Sequence, residues 1–287
     1  MPKSTDAPDD PKPLPGAKPL LGADEPPPVL ELGRLGRSHF VFVVDHAGAR
    51  IPRELGDLGL PAADLARHIA WDIGALGVAR RMAQALDAVL VAQNYSRLVI
   101  DCNRDPGVAS SIPTLGENTA IPGNVGLSEA QRLARRAEIF EPYHRHIGAL
   151  LDARRAAGQP TILVAQHSMT DLFNGERRDM HAAVLYNRDR RFAGHVLDEL
   201  RRDASLLVAD NEPYFVSDAT DFTIPRHGEA RGLPHVEIEI RQDLVCTDAG
   251  QAAWAERLAA ALEAARRAFE QGHPFDAARR ADELPRI

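Results

Sequence analysis

The stretch Phe40-Val41-Phe42-Val43-Val44-Asp45-His46-Ala47-Gly48-Ala49-Arg50-Ile51-Pro52 decides how the rest of the chain is read. It opens with β-branched and aromatic residues, the pattern of a strand buried on both faces of a parallel or mixed sheet. It breaks at Asp45-His46-Ala47-Gly48, and Ile51-Pro52 halts regular structure again. Open α/β sheets keep their chemistry outside the carboxyl ends of their strands. A buried strand that delivers His46 and then a glycine turn therefore marks a candidate site. The same design returns at Pro160 to Thr170, where a turn and a buried apolar strand end at His167 and Ser168. In neighbouring parallel strands those endings bring His46 and His167 together.

Working outward, the pattern from Pro61 to about Leu86 predicts a helix, with Gly74 and Gly77 as sites of close packing or a break. His68 and Asp72 stand at i and i+4 in it and so share one face, leaving one or both able to point at a site. Strands are expected over Ala88–Gln93 and Tyr95–Arg104. Residues 105–127, rich in Pro and Gly, then form a long loop of the kind that serves as a lid or substrate wall. Asn103 and Arg104 at its mouth can clamp an anion, because guanidinium binds carboxylate through two parallel bonds; the alternative is that Arg104 pairs with Asp101 or Asp105. Ser128-Glu129-Ala130-Gln131 is a capping box opening a helix to about Ala157, with Pro142 as a kink point.

A polar loop from Asn174 to Asp179, a strand at Ala182–Tyr186, a helix from Arg190 to Arg202 and a strand at Leu206–Val208 follow. His235 to Arg241 alternates with period two, placing Val236, Ile238 and Ile240 on one face and Glu237, Glu239 and Arg241 on the other. Charges on a strand surrounded by this much core need partners, a cavity or a metal. A long Ala-rich helix from Asp248 to about Gly272 closes the domain. The expected class is α/β: a single three-layer domain with a mixed, mostly parallel sheet flanked by helices. Residues 1–36 are read as a disordered Pro-rich extension, 37–272 as the folded domain and 273–287 as a polar tail.

The 287 residues can bury a sizeable core, and 44% hydrophobic with 26% charged residues is ordinary for a soluble protein. A net charge of -7 and a pI near 5.9 argue against binding to nucleic acid or an anionic membrane. Cys102 and Cys246 lie too far apart for a zinc ribbon and point to a reducing compartment. No apolar run approaches the roughly 18 residues of a membrane span, and the N-terminus lacks the apolar core of a secretory signal. A cytoplasmic location is expected, with the oligomeric state open.

His46, Asp72, His167 and Glu239 together make the inventory of a catalytic zinc site, which takes three protein ligands and leaves a fourth position for water. A carboxylate that does not ligate can take the water's proton. Other schemes lack their motifs: there is no Gly-x-Ser-x-Gly elbow, and neither a phosphate-binding Gly-x-x-x-x-Gly-Lys loop nor a Gly-x-Gly-x-x-Gly fingerprint.

His46-Ala47-Gly48 with Ile51-Pro52, His68-Ile69-Ala70-Trp71-Asp72-Ile73-Gly74-Ala75, Ser96-Arg97 with Asp101-Cys102-Asn103-Arg104, His167-Ser168, and Glu239-Ile240-Arg241-Gln242-Asp243-Leu244 resemble the motifs of the N-formylglutamate amidohydrolase family. They stand in the family's order and cover residues 38–245. The resemblance implies a zinc-exopeptidase-like fold, Zn2+ as cofactor, and hydrolysis of the amide of an N-formyl or N-acyl amino acid such as N-formylglutamate, a small-molecule substrate. It implies His46, Asp72 and His167 as ligands, Glu239 as the base, Arg104 on a substrate carboxylate, and Asn103, Arg97 and Arg226 as further substrate contacts. The chain departs at Trp71-Asp72, where some members that act on formylglutamate carry Trp-His. Either residue ligates zinc, so the departure bears on substrate rather than metal. The rival readings are a non-catalytic protein that binds acidic ligands on the same scaffold, and a zinc peptidase.

Overall fold

The computed structural model describes residues 19–34 and 36–273. The strands are β1 (Val29–Leu32), β2 (Phe40–Val44), β3 (Val89–Gln93), β4 (Leu115–Gly116), β5 (Thr119–Ala120), β6 (Ile162–Met169), β7 (Leu172–Phe173), β8 (Glu176–Arg177), β9 (Ala182–Leu185), β10 (Val208–Asp210) and β11 (His235–Arg241). The α-helices are α1 (Ala62–Leu65), α2 (Ala75–Ala85), α3 (Glu129–Arg135), α4 (Glu141–Ala156), α5 (Arg191–Leu200) and α6 (Asp248–Gly272). A mixed sheet of order β1-β3-β2-β6-β11-β9-β10 is the centre of the molecule, while β4-β5 and β7-β8 are small hairpins.

Strands β3, β2, β6 and β11 run parallel, so their carboxyl ends share one edge. Every residue of these four is buried, as expected for strands covered on both faces. The period-two alternation sorts their side chains into two cores. Phe40, Phe42, Val44, Ile162, Val164, Val236, Ile238 and Ile240 pack under α2, α5 and α6. Val41, Val43, Leu163 and Ala165 face the opposite layer, with Ile139, Tyr143, Ile147 and Leu151. Burying side chains of this size contributes about 1.5–3 kcal/mol each before conformational entropy is charged against it. His167 and Glu239 continue the second alternation, so they project into that layer at its open end.

The capping box at Ser128 and Gln131 forms as read, and a π turn at Arg136–Phe140 joins α3 to α4 just before Pro142. Proline has no N–H to offer, and widening the ladder there lets the helical run continue to Ala156. Thr247 caps α6 by accepting from the Gly250 N–H at 3.1 Å.

Several expectations are corrected. Residues 61–86 are not one helix: α1 ends at Leu65, turns follow, and α2 starts only at Ala75. Gly74 between them has φ +82°, and a Cβ there would lie 2.2 Å from the Val245 carbonyl oxygen, so the break is built on glycine. His68 and Asp72 consequently share no helix face. Tyr95–Arg104 is not a strand but a series of turns, with an isolated bridge from Tyr95 to Arg50; Ser96 turns the chain through its carbonyl, bonded to Val99 N, and its hydroxyl, bonded to Leu98 N. The expected extension 1–36 is partly sheet, because β1 pairs antiparallel with β3 and lengthens the edge. The polar loop after His167 contains the β7-β8 hairpin, and the 105–127 loop contains β4-β5. The expected strand at Leu206–Val208 lies at Val208–Asp210, parallel to β9. Residues 1–18 and most of the expected C-terminal tail lie outside the described residues.

Candidate metal centre

His46 stands two residues beyond the end of β2, and the turn that carries it depends on a close approach. A Cβ on Gly48 would sit 2.0 Å from the Asn94 carbonyl oxygen, so only glycine lets the chain pass β3 there. His167 lies within β6. Asp72 comes from the turn before α2, which is pinned by tertiary hydrogen bonds. Asp72 N donates to the His46 carbonyl at 2.9 Å, Ser168 Oγ donates to the Ile73 carbonyl at 2.8 Å, and Ser96 Oγ donates to the Ala70 carbonyl at 2.7 Å.

These elements bring His46, Asp72 and His167 together, with one donor atom of each within 4.8 Å of the others. Asp72 Oδ2 lies 2.8 Å from His167 Nδ1 and 3.4 Å from His46 Nδ1. The side chains are 3% and 4% exposed. His46 Nδ1 is buried and has no hydrogen-bond partner among the described residues, which is costly unless something else satisfies it. The far nitrogen of each imidazole faces a buried carboxylate. His46 Nε2 meets Asp101 Oδ1 at 2.7 Å, and His167 Nε2 approaches Asp45 Oδ2 at 3.4 Å, an ion-pair distance without hydrogen-bond alignment. Metal-ligating histidines are held this way, with the distal nitrogen on a carboxylate and the proximal one toward the ion. Two imidazoles and one carboxylate fit a zinc-type ion.

The charges of the cluster compensate one another. Burial alone would push the Asp72 and Asp101 carboxyls up, but the imidazoles, joined at Asp101 by the Arg97 guanidinium, hold both below the ordinary carboxylate range. His46 and His167 are raised despite burial by the carboxylates around them.

Glu239 completes the arrangement. It pairs with His167 in the β6–β11 register. Tyr214 Oη donates to its Oε1 at 2.8 Å, and its Oε2 is buried without a partner among the described residues. Burial, with Asp72 nearby, raises its pKa to about 7. That is the range in which a carboxylate works as a general base at neutral pH.

A family model described as N-formylglutamate amidohydrolase matches residues 38–246, the span that contains every residue of this site. The chain belongs to the N-formylglutamate amidohydrolase family. It is thus an amidohydrolase by family. No curated protein matches it significantly. A gene product of Agrobacterium tumefaciens of known structure is 37% identical, covering 88% of this chain and 99% of its own, with a TM-score of 0.85. An N-formylglutamate amidohydrolase from Ralstonia eutropha shares the fold at 19% identity and a TM-score of 0.66, covering 85% of this chain and 99% of its own.

Within this member of the N-formylglutamate amidohydrolase family, the remaining expected residues divide by what they touch. Arg97 Nη2 donates to Asp101 Oδ2 at 2.8 Å, and its Nη1 lies 3.5 Å from Asp72 Oδ1. Arg104 Nε lies 3.6 Å from the same Asp101 oxygen while Nη1 donates to the Thr220 carbonyl at 3.0 Å. Both guanidiniums flank the His46–Asp72–His167 donor set through Asp101 and stay partly exposed. The Asn103 amide is committed at both ends: Nδ2 donates to Asp221 Oδ1 at 3.0 Å, and Oδ1 accepts from Phe222 N and Thr223 N. It ties down the 217–223 loop. Arg226 is exposed on a π turn at Ile224–Gly228, whose His227 pairs with His144 at 3.0 Å. His68 lies outside the donor cluster, with Nε2 3.6 Å from Glu117.

Sequence reasoning missed Asp45, Asp101 and Tyr214 as site residues. Asp45 sits beside His46 in sequence, and Asp101 lies within a family motif, so a search for carboxylates behind the histidines had a signal to find. Tyr214, in the loop before β11, had none. A separate concavity lined by Arg188, Arg190, Arg191 and His195 is no rival anion site. Its guanidiniums already pair with Asp218 and Glu229, Asp210, and Asp189 respectively. No helix among the described residues is long and apolar enough to cross a membrane.

Proposed function

We propose that this chain is a zinc-dependent amidohydrolase that cleaves the amide of an N-formyl or N-acyl amino acid such as N-formylglutamate, releasing formate or another carboxylate and the amino acid. The observation that carries this reading is the buried His46 Nδ1, without a partner among the described residues, in a His46–Asp72–His167 donor set beside Glu239. His46, Asp72 and His167 would hold the ion. When bound, zinc polarises an acyl carbonyl and brings the pKa of a water down to about 7.

The chain's own residues supply the rest. Glu239 accepts the proton of the water that attacks the acyl carbon, then delivers it to the departing amine nitrogen. Tyr214 fixes one Glu239 oxygen and leaves Oε2 for that transfer. Asp101 and Asp45 orient the two imidazoles from behind. The partly exposed guanidiniums of Arg97 and Arg104, anchored on Asp101, present N–H groups to the charge that develops on the acyl oxygen or to a substrate carboxylate. The balance is that of hydrolysis: the water oxygen joins the acyl carbon, the C–N bond breaks, and the nitrogen leaves protonated.

Replacing Glu239→Gln keeps shape and polarity but removes the base. Metal content should be unchanged while kcat on N-formyl-L-glutamate falls by about 10²–10⁴-fold. Full activity in that variant contradicts the assigned role.

A further inference from the structure

Arg178 is a guanidinium at the mouth of this site that the mechanism leaves unused. It stands just after the β7-β8 hairpin, with its backbone N donating to the Asp171 carbonyl at 2.9 Å. The side chain lies over two rings rather than against an acid. Its Cζ is 5.0 Å from the Phe173 ring centroid and 5.3 Å from that of Tyr214. Among the described residues it pairs with no carboxylate, in a protein where most guanidiniums near the site do. Phe173 and Tyr214 are 40% and 38% exposed as residues, so the rim holds a cation against aromatic side chains where solvent and ligand can reach it.

The position is registered to the chemistry by two links. Tyr214, whose ring carries the guanidinium, donates its hydroxyl to Glu239 at 2.8 Å. Arg241, two residues beyond Glu239 on β11, points Nη1 at the carbonyls of Arg178, Asp179 and Met180 at 3.2, 3.0 and 3.4 Å. The strand that supplies the base thereby also fixes the backbone from which Arg178 projects. The charge of Arg178 bears on both Tyr214 and His68. Arg97 and Arg104 share Asp101; among the described residues Arg178 shares its charge with no acid.

We propose that Arg178 is the specificity-determining residue that receives a carboxylate on the substrate's side chain, remote from the amide that is cleaved, and so selects acidic acyl amino acids over neutral ones. The aromatic clamp pre-orients the fork, so little rotamer entropy is lost when the anion arrives. This inference rests on the amidohydrolase reading for its substrate and on the geometry above for its residue.

The test uses N-formyl-L-glutamate and N-formyl-L-glutamine, which differ by one charge. The zinc-loaded wild type should favour glutamate by about tenfold or more in kcat/KM, since one charge-assisted pair is worth at least that. Arg178→Ala should bring the ratio to within about threefold, mainly through KM for the glutamate compound, with zinc content unchanged. Arg178→Lys, which keeps the charge but not the fork, should fall between. A ratio that survives Arg178→Ala overturns the proposal, as does an equal loss on both compounds. If the wild type hydrolyses neither, the amidohydrolase reading fails, and equilibrium binding of the same two compounds decides Arg178. A preference for glutamate removed by Arg178→Ala supports the proposal, and equal binding in the wild type overturns it.

Discussion

Glu239 and His167 are direct partners in the register of two parallel strands, β11 and β6. The proposed base and one imidazole of the proposed metal site are thus fixed to each other by the sheet's backbone hydrogen bonds. Loops position the rest: Asp72 is brought to them by a turn, and Asp101 stands behind His46 from another.

The role of Asp101 behind His46 predicts a metal-affinity defect without a change of ligand. Asp101→Ala removes the acceptor 2.7 Å from His46 Nε2 and the anchor shared by Arg97 and Arg104. Zinc affinity, measured by competition with a chromogenic chelator, should weaken by about 10–100-fold. Unchanged affinity would show that His46 is oriented by something else.

The protonation of Glu239 predicts a pH-dependent stability difference in the metal-free protein. Its carboxyl is raised from an ordinary value of 4.5 to about 7 by burial, so the folded state holds its proton more tightly than the unfolded state does. That contribution is fully present below 4.5 and is lost as pH rises through about 7. Glu239→Gln cannot lose it. Denaturant unfolding of the two metal-free proteins should therefore show the variant gaining on the wild type as pH rises across that window. A difference independent of pH would contradict the raised value.

The break before α2 predicts that Gly74 is required for metal binding as well as folding. Gly74→Ala places a side chain at φ +82° and a Cβ 2.2 Å from the Val245 carbonyl oxygen. The left-handed backbone alone costs about 1–2 kcal/mol, and the contact adds to it. Thermal unfolding should shift down by several degrees, with weaker zinc retention because Asp72 lies two residues away. A variant with wild-type stability and zinc content would mean that this turn is not held as described.

Much of the sheet is legible in the sequence because burial on both faces leaves long apolar runs, such as those ending at His46 and His167, and period-two alternation marks the face of Glu239. The turn bearing Asp72 is not legible, since its spacing imitates a helix while its conformation is set by hydrogen bonds to residues remote in sequence, such as Asp72 N to the His46 carbonyl. Val99 and Ile100 suggest a strand by composition, yet Ser96 and Asp101 turn the chain through local bonds to Leu98 N and Asn103 N that propensity does not weigh. β1 was hidden by the prolines before it. The position of Arg178 depends on the Arg241 guanidinium reaching three carbonyls across the fold, and no local pattern records that.

The most direct measurement is the metal content of the purified chain after zinc reconstitution and gel filtration, beside His167→Ala treated identically. The predicted result is about one zinc per wild-type chain, little in the variant, and hydrolysis of N-formyl amino acids that a chelator abolishes and added zinc restores. A wild type that retains no zinc, or a His167→Ala variant that retains as much, would contradict the assignment of His46, Asp72 and His167 as one metal centre.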